Sequence, residues 1–402
     1  MKMTLRLPRR RTRQSAGLFS HSGECAYMLL IACVWLAGSA LARDEEEPAA
    51  NDRERFLGVL EKNFAGWDVD HDGVLSANEI NTLVESSQVR GEDAAAVAAL
   101  KRASRFKKVT LPTFTLEHLQ QLAKAQPVEK GMPDFPAMFG GSLKRIASTK
   151  RELFSPEGPR IETIRQGRMG NCFSLAPLAA LAHERPDYIR EQMIRPLEDG
   201  RYLVKLGQQE VKVAAPTDTE IALTSQNEDG SLWVNVYEKA AGVAHNAKKP
   251  ADQRDATGLD ALNRGGSAGT QLAFITGREM FRVSCSFAKK RDLPKAEYDK
   301  HMTELRSALT AATKENRLMT CGTLKTTIPG LTPNHAYAIL SYDSATDVIR
   351  VWNPHGDTRE VKGEPGPKNG YPIQDGIFEL PLTVFVKEFS GTAYEIVPPH
   401  SN

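Results

Sequence analysis

A cysteine, a histidine and an asparagine held together can attack and cleave an amide, and this 402-residue sequence carries all three in contexts that suit the task. Cys172 lies in QGRMGNCFSLAPLAALA, residues 166–182. Gln166 precedes it by six residues, two glycines stand between them, and a small-residue apolar helix pattern follows. That layout suits a nucleophilic thiol at a helix start. The positive end of the helix dipole favours thiolate, and the Gln166 amide is an oxyanion donor beside it. Asn171 stands where a helix N-cap would. His335 opens the strand-like run HAYAILSY (335–342), and Asn353 follows the run DVIRVW (347–352). A hairpin between these strands brings His335 and Asn353 to one sheet end. There an asparagine carbonyl holds one imidazole nitrogen while the other faces the thiol. His355 is a poorer base, since a ring and its asparagine need facing strands rather than one tight turn. His183, His245 and His301 have no evident partner and read as surface or structural.

A second chemistry stands upstream. In DVDHDGVLSANE (68–79), Asp68, Asp70, Asp72, Ser76 and Glu79 occupy positions 1, 3, 5, 9 and 12 of a twelve-residue loop. Gly73 stands at position 6, and the Val74 carbonyl is available at position 7. This is the pattern of an EF-hand loop for Ca²⁺, a hard cation that takes six to eight oxygens. Helical patterns flank it. Residues 92–125 repeat the helix–loop–helix layout around KKVTLPTFT, which has no carboxylates and reads as a degenerate, metal-free partner.

These sites need elements to position them. Residues 1–42 have a basic start, an apolar run from Ala26 to Ala37 and a small-x-small site at Ala40-Leu41-Ala42, so a cleaved signal peptide and export are expected. The apolar run is short for a membrane span, and no integral membrane segment is expected after cleavage. The whole chain has 52 Lys/Arg against 50 Asp/Glu, and the leader takes six and one of these, leaving the rest slightly acidic. With no basic stripe and no interleaved aromatics, nothing points to nucleic acid. Residues 43–53 read as an acidic linker, 54–125 as a small all-α module, 126–150 as a Gly/Pro-rich connector, and 151–397 as a mixed core. Helices come first there and antiparallel strands later, which predicts an α+β fold. Past the leader three cysteines remain, so Cys285–Cys321 is the candidate disulfide and Cys172 the free thiol. Pro177 falls on the sixth residue of the nucleophile helix and predicts a kink.

The residues resemble the calpain family. QGRMGNCFSLAPLAAL is similar to its signature, with Gln166 and Cys172 on the oxyanion and nucleophile positions. NHAYAILSYD and VIRVWNPHG resemble its histidine and asparagine segments, with His335 and Asn353 on the remaining catalytic positions. The likeness continues in Leu232-Trp233, Glu238-Lys239-Ala240, Gly265-Gly266 and GIFELPLTVFVKEFSG. It implies a papain-like, two-lobed cysteine protease core: a helical lobe over about 151–225 with Cys172, and a β-rich lobe over about 226–397 with His335 and Asn353. It also implies endopeptidase cleavage of protein or peptide substrates, often calcium-regulated. Phe173 and His355 replace tryptophans usual in the family, and the second change is expected to leave the His335–Asn353 bond less shielded. Two other classes compete: a catalytically silent calcium-binding or adhesion protein, and a transglutaminase-like acyltransferase, which would have Asp at position 353. Oligomeric state is not legible in the sequence.

Overall fold

The computed structural model describes residues 47–106, 111–125 and 128–396. The expected leader and its cleavage site lie outside them. Helices α1 (Glu47–Trp67) and α2 (Ala77–Glu85) flank the 68–79 loop, and α3 (Gly91–Ala103) and α4 (Leu116–Lys124) flank the carboxylate-free segment. Helical spacing dictates what they bury: Phe56, Leu60 and Phe64 from α1, Ile80 and Val84 from α2. Ser76 caps α2 reciprocally. Its hydroxyl accepts the Glu79 N–H while the Glu79 carboxylate accepts the Ser76 N–H. The two loops touch where the Leu75 N–H donates to the Phe114 carbonyl at 3.0 Å.

The segment predicted as a connector contains a helix instead, α5 (Phe135–Ser148). Asp134 caps it by accepting the Ala137 N–H at 3.0 Å. Pro136 sits in the first turn, where a missing N–H costs no helical bond. Gly140 marks a close crossing with α1, since a Cβ there would lie 1.8 Å from an Asp52 carboxylate oxygen. Phe135 stacks on Phe56 with ring centroids 5.4 Å apart. The apolar cluster of these helices also takes in Ala222 and Leu223 from farther along the chain. From Pro48 onward the chain forms one unit.

β1 (Ile164–Arg165) pairs antiparallel with β5 (Gln226–Asn227). Between them lie α6 (Cys172–Glu184), the short α7 (Pro186–Tyr188), and α8 (Asp218–Leu223), together with an antiparallel sheet of β2 (Ile194–Pro196), β3 (Arg201–Leu206) and β4 (Gln209–Ala214). Helices α9 (Trp233–Ala247), α10 (Gly258–Leu262) and α11 (Ala268–Thr276) follow. One apolar cluster takes in Ile161 through Ile275, so helices α9–α11 extend the helical part past residue 225, where the resemblance implied a boundary. Every residue of α6 from Phe173 to Ala182 is buried, which explains its lack of a polar face. Pro177 lies inside that helix without ending it.

The last region is a six-stranded antiparallel sheet. It comprises β6 (Met280–Ser284), β7 (Met319–Thr323), β8 (Ala336–Asp343), β9 (Val348–Trp352), β10 (Ile377–Pro381) and β11 (Phe389–Glu395), in spatial order β10-β9-β8-β7-β11-β6. Helices α12 (Lys295–Lys314) and α13 (Leu382–Glu388) contribute to the cluster on one face. Alternation decides which way β8 faces. Ala336, Ala338 and Leu340 join the α6 cluster, whereas Tyr337, Ile339 and Tyr342 join the α12 cluster. The expected Cys285–Cys321 disulfide is absent, and both thiols are free and buried. The reason is register. Cys321 pairs with Thr392 on one side of β11, and the Cys285 N–H bonds Ser390 on the other. Two strand spacings come to about 9.6 Å, beyond the roughly 7 Å a disulfide spans. No helix among the described residues is long and apolar enough to cross a membrane.

Candidate active site

The loop before Cys172 is pinned from several directions. The Gln166 N–H donates to the Pro354 carbonyl at 2.7 Å, tying this loop to the turn after β9. Gln166 Nε2 donates to the Met169 carbonyl at 2.7 Å, and Oε1 is buried without a partner. The amide is therefore fixed within its own loop, with one Nε2–H left over. The Gly170 N–H donates to Asn263 Oδ1 at 2.7 Å. The two glycines permit close approach: a Cβ on Gly167 would lie 2.8 Å from the Thr224 carbonyl, and one on Gly170 3.1 Å from that of Asn263.

Asn171 does not cap α6 through its side chain. Its carbonyl accepts the N–H groups of Ser174 and Leu175, but its amide turns inward and donates to the Glu238 carboxylate. Glu238 also accepts the Ser225 N–H at 2.8 Å and the Ser225 hydroxyl at 2.6 Å. Burial pushes this carboxyl up to about 7. Under α6, Gln271 Oε1 accepts from His245 Nε2 at 2.6 Å and Gln271 Nε2 donates to the Tyr237 hydroxyl at 3.0 Å, while Tyr237 and Ser174 hydroxyls bond at 2.9 Å. His245 therefore has a partner the sequence did not reveal, and its ring stands edge-on to Phe173 at 6.1 Å.

His335 stands just before β8 and is buried, with its N–H bonded to Thr323 Oγ1 at 3.2 Å. Its Nε2 bonds Asn353 Oδ1 at 2.8 Å, which leaves Nδ1 for another partner. The pairing of Ala338 with Trp352 brings the two residues to the same sheet end. Asn353 is held in turn by its own N–H to the Gly376 carbonyl at 2.8 Å. Contrary to the expectation of a poorly shielded bond, the His355 ring packs on His335 with centroids 4.4 Å apart, and the His355 N–H donates to Asn353 Oδ1 at 3.1 Å. Cys172, His335 and Ala336 line one cleft of about 510 Å³. The Ala336 N–H points at the Cys172 sulfur, so the thiol rests against the residue that follows His335.

Burial outweighs the helix dipole here. It raises the Cys172 thiol above its ordinary value, against the N–H groups of Ala336, Phe173 and Cys172 itself. It pushes His335 down to about 4, helped by the neighbouring His355 and opposed by the Asn353 bond. Each shift favours the neutral form, a thiol beside an imidazole, against the thiolate that a helix start favours. Cys285 is pushed up to about 12 by burial, and burial also raises Cys321 well above its ordinary value. Of the three thiols only Cys172 reaches the surface.

In the upstream loop, carboxylate oxygens of Asp68, Asp70 and Glu79 lie within 4.8 Å of one another. Gly73 adopts φ +82°, the left-handed turn that wraps the chain around this point. Asp72 stands outside the group, its carboxylate accepting the Val74 N–H at 2.8 Å. The Ser76 hydroxyl is occupied in capping α2. The Ser76 N–H holds the Glu79 carboxyl below the usual range. A hard, oxygen-seeking cation fits the converging carboxylates. This module is clamped to the core by Lys101, whose ammonium bonds Asn81 on α2 and Asp260 on α10 at 2.7 Å. Arg105 joins Asp260 at 2.8 Å, and Thr217 Oγ1 donates to the Val84 carbonyl at 2.7 Å. Asn263, which accepts from Gly170, ends the same helix α10.

Sequence reasoning missed Glu238, Asn263, Gln271 and Tyr237 as supports of the nucleophile loop. Only Glu238 had a signal, as part of the segment Glu238-Lys239-Ala240. Residues 143–368, more than half of the chain, match the family model described as calpain family cysteine protease. The match contains Gln166, Cys172, His335 and Asn353, and begins within α5.

Proposed function

Because this chain belongs to the calpain family of cysteine proteases, we propose that it is an endopeptidase acting through Cys172, His335 and Asn353. His335 Nδ1 takes the thiol proton as Cys172 Sγ attacks the scissile carbonyl. The oxyanion receives the free Nε2–H of Gln166 and the Cys172 N–H; losing one such donor costs on the order of 10² to 10³ in rate. Imidazolium then protonates the leaving amine, and the C–N bond breaks to leave a thioester. Water, deprotonated by His335, hydrolyses the thioester and restores the thiol. Asn353 keeps the ring in the tautomer that presents Nδ1 to the thiol. The observation that carries this reading is the 2.8 Å bond from His335 Nε2 to Asn353 beside a thiol in the same cleft.

Asp68, Asp70 and Glu79 are the residues that would hold Ca²⁺, whose charge would offset their mutual repulsion and tie α1 to α2. The contacts Asn81–Lys101–Asp260 and, at the end of the same α10, Asn263–Gly170 run from that module to the nucleophile loop. They support a calcium influence on the core, although contiguity alone is not coupling. Casein incubated with the protein, with and without Ca²⁺, tests both parts. Cleavage that Cys172→Ala abolishes is expected, and cleavage that survives this change would sink the proposal. Asp260→Asn should weaken the calcium dependence of cleavage; an unchanged dependence would remove the proposed route.

A further inference from the structure

The active-site cleft carries a charge that the catalytic residues do not use. We propose that Arg282 reads an acidic side chain of the bound substrate, so that the enzyme selects peptides with an aspartate or glutamate close to the scissile bond. This rests on the protease reading above and adds a substrate class to it.

Arg282 lies on β6, the edge strand. It pairs with Ala393, which pairs with Thr320, which pairs with Ala338. Residues directly opposite one another share a face, so all four point to the side of the sheet that carries Ala336 and the Cys172 thiol. The neighbouring row on this face is Ser284, Gly391, Gly322 and Ala336. Such small residues leave open space above the sheet. Arg282 is the only Asp, Glu, Lys or Arg among the described residues lining the cleft.

The guanidinium lacks a counter-charge. Its Nη2 donates to Thr270 Oγ1 at 3.1 Å and its Nη1 to Ser267 Oγ at 3.5 Å. No carboxylate lies within salt-bridge distance among the described residues. Both hydroxyls belong to the start of α11, a nine-residue helix with no acidic residue in its first turn. A cation thus sits against the positive end of a helix, an arrangement that an anion in the cleft would relieve. Gly269 makes room for it, since a Cβ there would lie 2.6 Å from Nη1. A third feature points the same way. The Thr320 hydroxyl, two strands from Arg282 on the same face, is 1% exposed and has no hydrogen-bond partner. It can donate to a carboxylate. A carboxylate side chain in this cleft answers the guanidinium and the helix start, with the Thr320 hydroxyl as a further donor in the same lining; an aliphatic one answers none of them.

The test uses the full chain and paired fluorogenic peptides, with glutamate or the isosteric glutamine placed in turn at each of three positions on either side of the cleaved bond. At one position the wild type should prefer glutamate by about tenfold or more in kcat/KM, as a charge-assisted bond predicts. The preference should shrink with added salt. Arg282→Gln should bring the ratio near one, Arg282→Lys should retain part of it, and Arg282→Glu should favour lysine there instead. Each ratio is internal to one enzyme, so a general loss of activity does not imitate it. A wild-type ratio near one at every position, or a ratio that survives Arg282→Gln, would overturn the inference while leaving the protease reading intact. A chain that cleaves no peptide at all would overturn both.

Discussion

Burial of the proposed catalytic pair makes a sharp prediction about Cys172 reactivity. Its thiol is raised above the ordinary 9.0, and His335 is lowered to about 4. At pH 7 the resting thiolate fraction should then be below about 1%, whereas an ion pair would hold nearly all of the sulfur as thiolate. The two cases differ by about 100-fold in the rate of alkylation by iodoacetamide. The profile differs too. A neutral pair gives a rate that climbs about tenfold per pH unit from pH 6 to 8.5, with no plateau. An ion pair gives a flat rate from about pH 5 to 8, bounded below by the thiol and above by the imidazolium. Peptide mapping by mass spectrometry locates the adduct, and the peptides carrying Cys285 and Cys321 should remain unlabelled in Cys172→Ala because both thiols are buried. A plateau across neutral pH would refute the account of the resting site, since it requires the Cys172 and His335 charges to outweigh the desolvation argued above. Substrate-driven proton transfer remains compatible with the neutral pair, because thiolate need form only as the carbonyl is attacked.

Asn353→Ala should lower kcat by at least about 10²-fold and, by leaving the buried His335 Nε2–H and the His355 N–H without an acceptor, cost about 2 kcal/mol in urea unfolding; a variant with normal kcat would remove Asn353 from the mechanism. Glu238 is protonated more readily in the fold, at about 7, than at its ordinary 4.5. Its stabilising contribution is therefore full below about pH 4.5 and falls as pH rises through 7, by about 3 kcal/mol. Glu238→Gln should flatten the decline in unfolding free energy between pH 5 and 8, and an unaltered slope would show that Glu238 is not its source. His335 works in the opposite window: its lowered value costs stability as pH falls from about 6.5 towards 4. Calcium at about 100 times its dissociation constant should add about 2.7 kcal/mol and raise the melting temperature by several degrees; Asp68→Ala should abolish that shift, and a shift that persists would place the ion elsewhere.

Short-range pattern carried much of this protein. The spacing of Asp68, Asp70, Gly73 and Glu79 is that of a cation loop, which needs donors at fixed intervals; the structure gathers three of its carboxylates and leaves Asp72 aside. Short apolar runs mark β8 and β9 to within a residue, and with them the neighbouring His335 and Asn353. The loop QGRMGNC is legible because Gln166 precedes the thiol and His335 and Asn353 follow in strand contexts.

What remained was decided by contacts between distant parts of the chain, which no local spacing records. A stretch rich in glycine and proline became helix α5, because Gly140 lets α1 cross closely and Phe135 and Phe139 have a core to fill. Asn171 has the composition of a cap, yet a buried carboxylate 67 residues away competes for its amide and wins. His355 was read as a lost shield, and the packing of its ring on His335 makes it one. Cys285 and Cys321 suit a bridge by count, but β11 runs between them. Side-chain type and local period mark which residues could do the chemistry. Their charge states and their company come from how the distant parts of the chain pack. Desolvation of Cys172 and His335, and the lone guanidinium of Arg282 above a floor of small side chains, are consequences of how sheet and helices close over one cleft.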